Sequence, residues 1–137
     1  MTLELKLNPG ESNIAEIKNR LVEFNKPVLK QSEFIPFTYE KRDRSNQLIG
    51  GLYAEIWGNW LIVNYLWVSL EAREQGLGKQ LIHNAEDFAR SKLCTHAVLT
   101  TFSFQAKPFY EKLGYECQLT LDNYPSTSQW HHMIKVL

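Results

Sequence analysis

Trp60-Leu61-Ile62-Val63-Asn64-Tyr65-Leu66-Trp67-Val68, followed four residues later by Arg73-Glu74-Gln75-Gly76-Leu77-Gly78-Lys79, decides how the chain folds. The first run is almost unbroken apolar sequence, too short to cross a membrane and rich in β-branched and aromatic residues, which predicts a central strand covered on both faces. From Leu77 onward the apolar residues Leu77, Leu81, Ile82, Ala85, Phe88, Ala89 and Leu93 recur at helical spacing and build one face. His83, Asn84, Glu86, Asp87 and Arg90 fall away from that face. A glycine turn therefore feeds a helix N-terminus.

Such a turn suits an anion. The first turn of a helix has backbone N–H groups without partners and the positive end of the macrodipole, and glycine lets a phosphate approach the backbone. Arg73 and Lys79 add positive charge. Gly-x-Gly alone is equally compatible with a plain connection. Two phosphate motifs are excluded by inspection: a P-loop needs Gly at position 73 and Ser or Thr at position 80, where Arg73 and Gln80 stand. A dinucleotide fingerprint starting at Gly76 needs glycine where Leu81 sits.

With 137 residues the chain reads as one domain, residues 1–137, with enough apolar sequence (44%) for a core and an ordinary charged fraction of 22%. Fifteen basic residues balance fifteen acidic ones, so nothing argues for a nucleic-acid or membrane partner. No run approaches the roughly twenty apolar residues of a membrane span, and Met1 to Leu7 lacks the apolar core of a secretory signal. Cys94 and Cys117 have neither metal nor disulfide-framework spacing, which predicts free thiols and a cytoplasmic location, and no metal site.

Leu3, Leu5 and Leu7 alternate with charge and predict a half-exposed strand ending at Pro9-Gly10. A helix capped at Ser12 or Asn13 follows, with Ile14, Ile17, Leu21 and Phe24 on one face, until Pro27 approaches. Residues 26 to 36 read as irregular. Strands are predicted at Phe37–Arg42, Gln47 to about Trp57, Ala97–Phe102, Tyr115–Leu121 and Trp130–Val136, with a short helix Phe109–Leu113 ending at Gly114. Gly50-Gly51 weakens its strand locally, or admits a bulge or a close neighbour. The crossover helix after the central strand implies a mixed α/β sheet whose late strands are parallel.

Arg73-x-x-Gly76-x-Gly78 after a strand and opening a helix resembles the pyrophosphate signature of the GNAT superfamily of N-acetyltransferases. Thr101-Phe102-Ser103-Phe104-Gln105-Ala106 and Pro108-Phe109-Tyr110-Glu111-Lys112-Leu113-Gly114-Tyr115 are similar to the second characteristic block of its small bacterial members. The resemblance implies a mixed, mostly antiparallel sheet of six to seven strands flanked by helices, with a central splay. It also implies an enzyme that transfers the acetyl group of acetyl-CoA to a primary amine of a small molecule or peptide. Cofactor contacts are then expected from Leu66, Trp67, Val68, Arg73, Glu74, Gln75, Gly76, Leu77, Gly78, Lys79, Phe102, Gln105, Phe109 and Tyr110. Among these, the Val68 amide is the candidate to polarise the thioester carbonyl.

Tyr110 matches the family tyrosine that faces the sulfur. A phenol of ordinary pKa about 10 can protonate a thiolate whose conjugate acid is about 8.5. Glu55 is the leading candidate base, and Asn64, which cannot act as a base, could orient water or substrate. His131 and His132 are adjacent on a strand and face opposite sides, which argues against joint metal binding. One of them could line the acceptor pocket. The alternative function is an acyl-CoA-binding sensor or assembly partner without turnover. The acceptor and the oligomeric state, a homodimer among the options, have no readable code.

Overall fold

The computed structural model describes residues 1–29 and 32–137, which form two compact units, Met1–Ser32 and Glu33–Leu137. In the first, helix α1 (Glu11–Leu29) starts where the Gly10 N–H donates to Asn13 Oδ1 (3.1 Å), with Glu11 at the positive end of its dipole. The predicted cap residues therefore lie inside the first turn. Pro27 is accommodated near the helix end, where it removes one N–H donor without stopping the helix. Leu3, Leu5 and Leu7 form no strand. Alternation specifies a strand only where a neighbour pairs with the backbone, and here none does. Of the segment expected to be irregular, residues up to 29 are helix, 30 and 31 lie outside the described residues, and strand begins at Phe34.

The second unit is one six-stranded sheet in the order β1-β2-β3-β4-β6-β5. Its strands are β1 (Phe34–Arg42), β2 (Leu48–Trp57), β3 (Trp60–Val68), β4 (His96–Phe102), β5 (Glu116–Asp122) and β6 (Gln129–Val136). Parallel pairing is confined to β3 with β4, joined by the crossover helix α2 (Leu77–Ser91); the other pairs are antiparallel. Pro36 fits because β1 is an edge strand. A turn of 3₁₀ helix, Leu70–Ala72, precedes α2, and helix α3 (Lys107–Lys112) follows β4.

Leu52, Ala54 and Ile56 of β2, Leu61 and Val63 of β3, Ala97 and Leu99 of β4 and Met133 of β6 form one buried cluster with Leu81, Ile82, Ala85 and Ala89 of α2. Gly50 closes this interface. A Cβ there would lie 2.6 Å from Leu77 Cδ2, so glycine lets the first turn of α2 descend onto β2. Of the alternatives open at Gly50-Gly51, the close neighbour is realised at Gly50, and the register with β1 also slips by one residue beside it, at Ile49. Tyr110 and Tyr115 belong to the same cluster, which places α3 on the α2 side. On the opposite face of β3 no element of the second unit covers the strand as its apolar run suggests: Tyr65 is 73% exposed and Trp67 48%.

Glu86, expected on the solvated face of α2, is 1% exposed. Its Oε2 accepts from the Tyr115 hydroxyl (2.9 Å) and its Oε1 from Lys135 Nζ (3.0 Å). Helical phase places Glu86 near the edge of the apolar stripe, and partners from β6 and the residue before β5 make its burial tolerable. Removing one partner leaves an uncompensated charge, so Lys135→Met is expected to cost about 3 kcal/mol in urea unfolding. The double variant Lys135→Met/Glu86→Leu should recover most of that loss. Additive losses in the double-mutant cycle would show that the pair is not coupled.

Candidate active site

β3 carries one residue more than β2 at its centre. Tyr65 opposes Tyr53 and Val63 opposes Ala54, which leaves Asn64 as a bulge. The bulge switches the faces of the strand. Leu61 and Val63 point into the core before it, and Leu66 and Val68 pack against the core after it. Pairing of β3 with β4 ends at Val63 and Leu99, although β3 runs on to Val68 and β4 to Phe102. The two strands therefore part, and the gap is a cleft of about 940 Å³.

The far end of the cleft is the start of α2. Gly76 takes a left-handed conformation (φ 82°), and the first helical bond is Gln80 N–H to Gly76 O at 3.0 Å. The amides of Leu77, Gly78 and Lys79 precede that bond and have no partner within the helix. No acidic residue stands in this first turn, and Lys79 does. Arg73 is steadied by a bond from its Nε to Val68 O (3.2 Å). A Cβ on Gly78 would lie 3.3 Å from Phe109 Cζ, so this glycine also lets α2 and α3 approach across the cleft.

Of the residues expected at the site, Asn64, Leu66, Trp67, Val68, Arg73, Glu74, Gly76, Leu77, Gly78, Lys79, Gln105, Phe109 and Tyr110 line this cleft. Three are elsewhere. Glu55 lies on the face of β2 away from α2, where its Oε1 accepts from the Tyr53 hydroxyl at 2.7 Å. Gln75 turns back, its Nε2 donating to Glu71 O (3.0 Å). Phe102 stacks on Phe104 on the face away from α2. Gln105 spends its carbonyl on the turn, accepting from the Phe102 N–H (2.7 Å) and the Thr101 hydroxyl (3.3 Å).

His131 is buried and bonded to the Thr120 hydroxyl (2.8 Å), and His132 packs on Trp130 on the other side. Neither lines the cleft. Tyr65, Thr100, Thr101 and Phe104 also line it; Thr101 and Phe104 belong to the second motif block without having been singled out within it, and Tyr65 and Thr100 belong to neither block. Their common signal is position just beyond the last β3–β4 pair.

Tyr110 is 8% exposed and sits at the cleft wall, its ring edge-on to Phe109 (5.1 Å) and Tyr115 (6.0 Å). Burial raises its pKa from 10.0 to about 12, because the phenolate would lose its hydration. Tyr115 is raised as well, by burial first and then by the Glu86 carboxylate.

A parted parallel strand pair ending at a cationic helix N-terminus, with a protonated phenol on one wall, has the architecture of a transferase for acyl groups on a phosphate-bearing carrier. Residues 35–117 match the family model described as an acetyltransferase (GNAT) domain. Blasticidin-S acetyltransferase of Streptomyces morookaense is 38% identical over 101 residues, 73% of this chain and 74% of that protein. A crystal structure from Agrobacterium tumefaciens is 26% identical with a TM-score of 0.93 over 100% of both chains. A second, of an acetyltransferase from Bacillus cereus, is 27% identical with a TM-score of 0.84 over 98% of each. The chain belongs to the GNAT acetyltransferase family. It is an acyl-CoA-dependent N-acetyltransferase with acetyl-CoA as cosubstrate. Among the described residues no helix is long and apolar enough to cross a membrane.

Because the native phenol of Tyr110 holds its proton up to about pH 12, while an unfolded one releases it near 10, the unfolded state binds fewer protons between those values. Stability must therefore fall as pH rises through that window, by about 2 to 3 kcal/mol from this residue. Tyr110→Phe should flatten that alkaline loss in denaturant titrations at pH 9.5, 11 and 12. An unchanged slope would mean that Tyr110 ionises normally.

Proposed function

We propose that the cleft binds acetyl-CoA with its pyrophosphate on the amides of Gly76, Leu77, Gly78 and Lys79 and the free guanidinium nitrogens of Arg73. The acyl arm then lies along the unpaired edge of β3 from Asn64 to Val68. The observation that carries this reading is the meeting of an unpaired strand edge with an acid-free helix N-terminus in one cleft. Leu66, Trp67 and Phe109 supply apolar wall, and the Val68 amide polarises the thioester carbonyl.

The acceptor is a primary amine of a small molecule, and blasticidin S, named for a relative, is the first to test. Its nitrogen forms a bond to the acetyl carbon as the carbon–sulfur bond breaks. The Tyr110 hydroxyl donates a hydrogen bond to the departing sulfur, which takes its proton from solvent, and the amine releases one to water. Asn64, exposed at the bulge, orients that water. Glu55 takes up the proton from that water through the Tyr53 hydroxyl, from outside the cleft, so Glu55→Gln should slow turnover only where the amine is protonated.

Coenzyme A should raise the melting temperature, and NAD at equal concentration should do clearly less. Gly78→Glu places a carboxylate at the helix start and a side chain against Phe109, and should abolish that shift. Native-like circular dichroism with unchanged coenzyme A affinity would remove the loop from the site. Tyr110→Phe should lower turnover by about a hundredfold to ten-thousandfold with little change in coenzyme A affinity. Full activity in a stable variant would return Tyr110 to packing.

A further inference from the structure

The side of the sheet away from α2 carries a column of aromatic rings that ends at the cleft. Phe104 stacks on Phe102 with ring centres 5.2 Å apart and planes 5° from parallel. Phe102 faces Trp130 at 6.4 Å and 30°, and Trp130 stacks on Tyr124 at 4.7 Å and 13°. These separations lie in the range of favourable offset stacking. Three of the four rings pack on neighbours from separate parts of the chain, β4, β6 and the connection before β6. The fourth, Phe104, is 67% exposed and lines the cleft.

An exposed phenylalanine on a loose loop would be unremarkable, but this one is fixed on both sides. The turn that carries it is held by the Phe102 N–H to Gln105 Oε1 (2.7 Å), the Ser103 N–H to Gln129 O (2.9 Å) and the Gln129 N–H to Ser103 Oγ (3.0 Å). Its outer face is therefore a rigid apolar plane, already ordered before anything binds. Thr100, on the next strand residue but one before Phe102, also lines the cleft and places the plane beside the strand gap.

We propose that the acceptor amine carries a flat aromatic group, which stacks on the outer face of Phe104 and continues the column as its fifth ring. The proposal rests on the acetyl-transfer reading of the cleft and narrows its acceptor from primary amines in general to aromatic ones. Recognition comes from π-stacking in addition to apolar burial, so a saturated ring of similar size is a poorer fit.

The test uses two primary amines of comparable shape, 2-phenylethylamine and 2-cyclohexylethylamine, titrated calorimetrically into the coenzyme A-saturated protein. The aromatic amine should bind about tenfold tighter, within the range that stacking of one ring on an aromatic side chain supports. Phe104→Leu, which keeps apolar volume and removes the π-face, should bring the two affinities within twofold. Phe104→Tyr should restore the preference, and melting temperatures of both variants establish that they are folded. Equal binding of the two amines to the parent, or no binding of either, would overturn the proposal while leaving coenzyme A binding intact. A preference that survives in Phe104→Leu, or a fall in coenzyme A affinity with the preference unchanged, would also overturn it by assigning the ring elsewhere. Failure of the parent to bind coenzyme A would instead remove the reading of the cleft itself.

Discussion

The constraint on which the rest depends is the extra residue at Asn64. A strand of β3's composition would keep pairing with β4 along its whole length, because each unmade backbone bond in a buried sheet costs free energy. The bulge at Asn64 shifts the phase of β3 by one residue, and pairing stops at Val63 and Leu99. The residues from Tyr65 to Val68 keep their antiparallel partners on β2, Asn64 has none, and the whole stretch borders open space on the β4 side. One inserted residue thus produces the cleft, an unpaired backbone edge within it, and the change of face that brings Leu66 and Val68 onto the core.

A gap between strands is useful only if the elements at its ends are held still. Three contacts do this for α2. Gly50 admits Leu77 at the first turn, Gly78 sits against Phe109, and Glu86 bonds Tyr115 and Lys135 farther along. The apolar face of α2 supplies most of the stabilisation, since burial of each large side chain contributes about 1.5 to 3 kcal/mol. A buried carboxylate contributes little net stability, because desolvation offsets its ion pair. Its consequence is directional: only one rotation and translation of α2 satisfies both the Tyr115 hydroxyl and the Lys135 ammonium, and that setting aims the helix start into the cleft.

The elements were legible in sequence where a local pattern decides them. α2, β3 and β4 follow from the period of their apolar residues, and the anion-binding turn follows from Gly76, Gly78 and their cationic neighbours. Features decided by distant partners were not legible. Glu86 has the local environment of a surface residue and is buried by groups 29 and 49 positions away. Nothing near Asn64 marks a bulge, since a bulge is a relation between two strands. Without it, the phase of β3 is misassigned and both faces look covered. Glu55 and Phe102 lie off the cleft for a related reason: alternation says that neighbours oppose one another, but not which face borders the gap. The leucines at 3, 5 and 7 show the converse, a strand pattern that forms no strand.

The environment of Tyr110 also changes what kind of acid it can be. A phenol at its ordinary pKa of about 10 lies close to a departing thiol at about 8.5, whereas burial moves Tyr110 to about 12. In the proposed reaction, full transfer to a free thiolate would then run uphill by a pKa difference of about 3.5, roughly 5 kcal/mol. The phenol is better suited to donate a strong hydrogen bond while the carbon–sulfur bond is still breaking, when stabilisation of developing charge matters most. Burial serves that role in two ways. It keeps the hydroxyl protonated at every pH at which the protein works, and it lowers the local dielectric in which the sulfur's growing charge meets that hydrogen. The same edge-on contacts with Phe109 and Tyr115 that exclude water from the ring also fix its direction. Packing and chemistry at Tyr110 are therefore one arrangement, and its burial in the core is what fits it to the cleft.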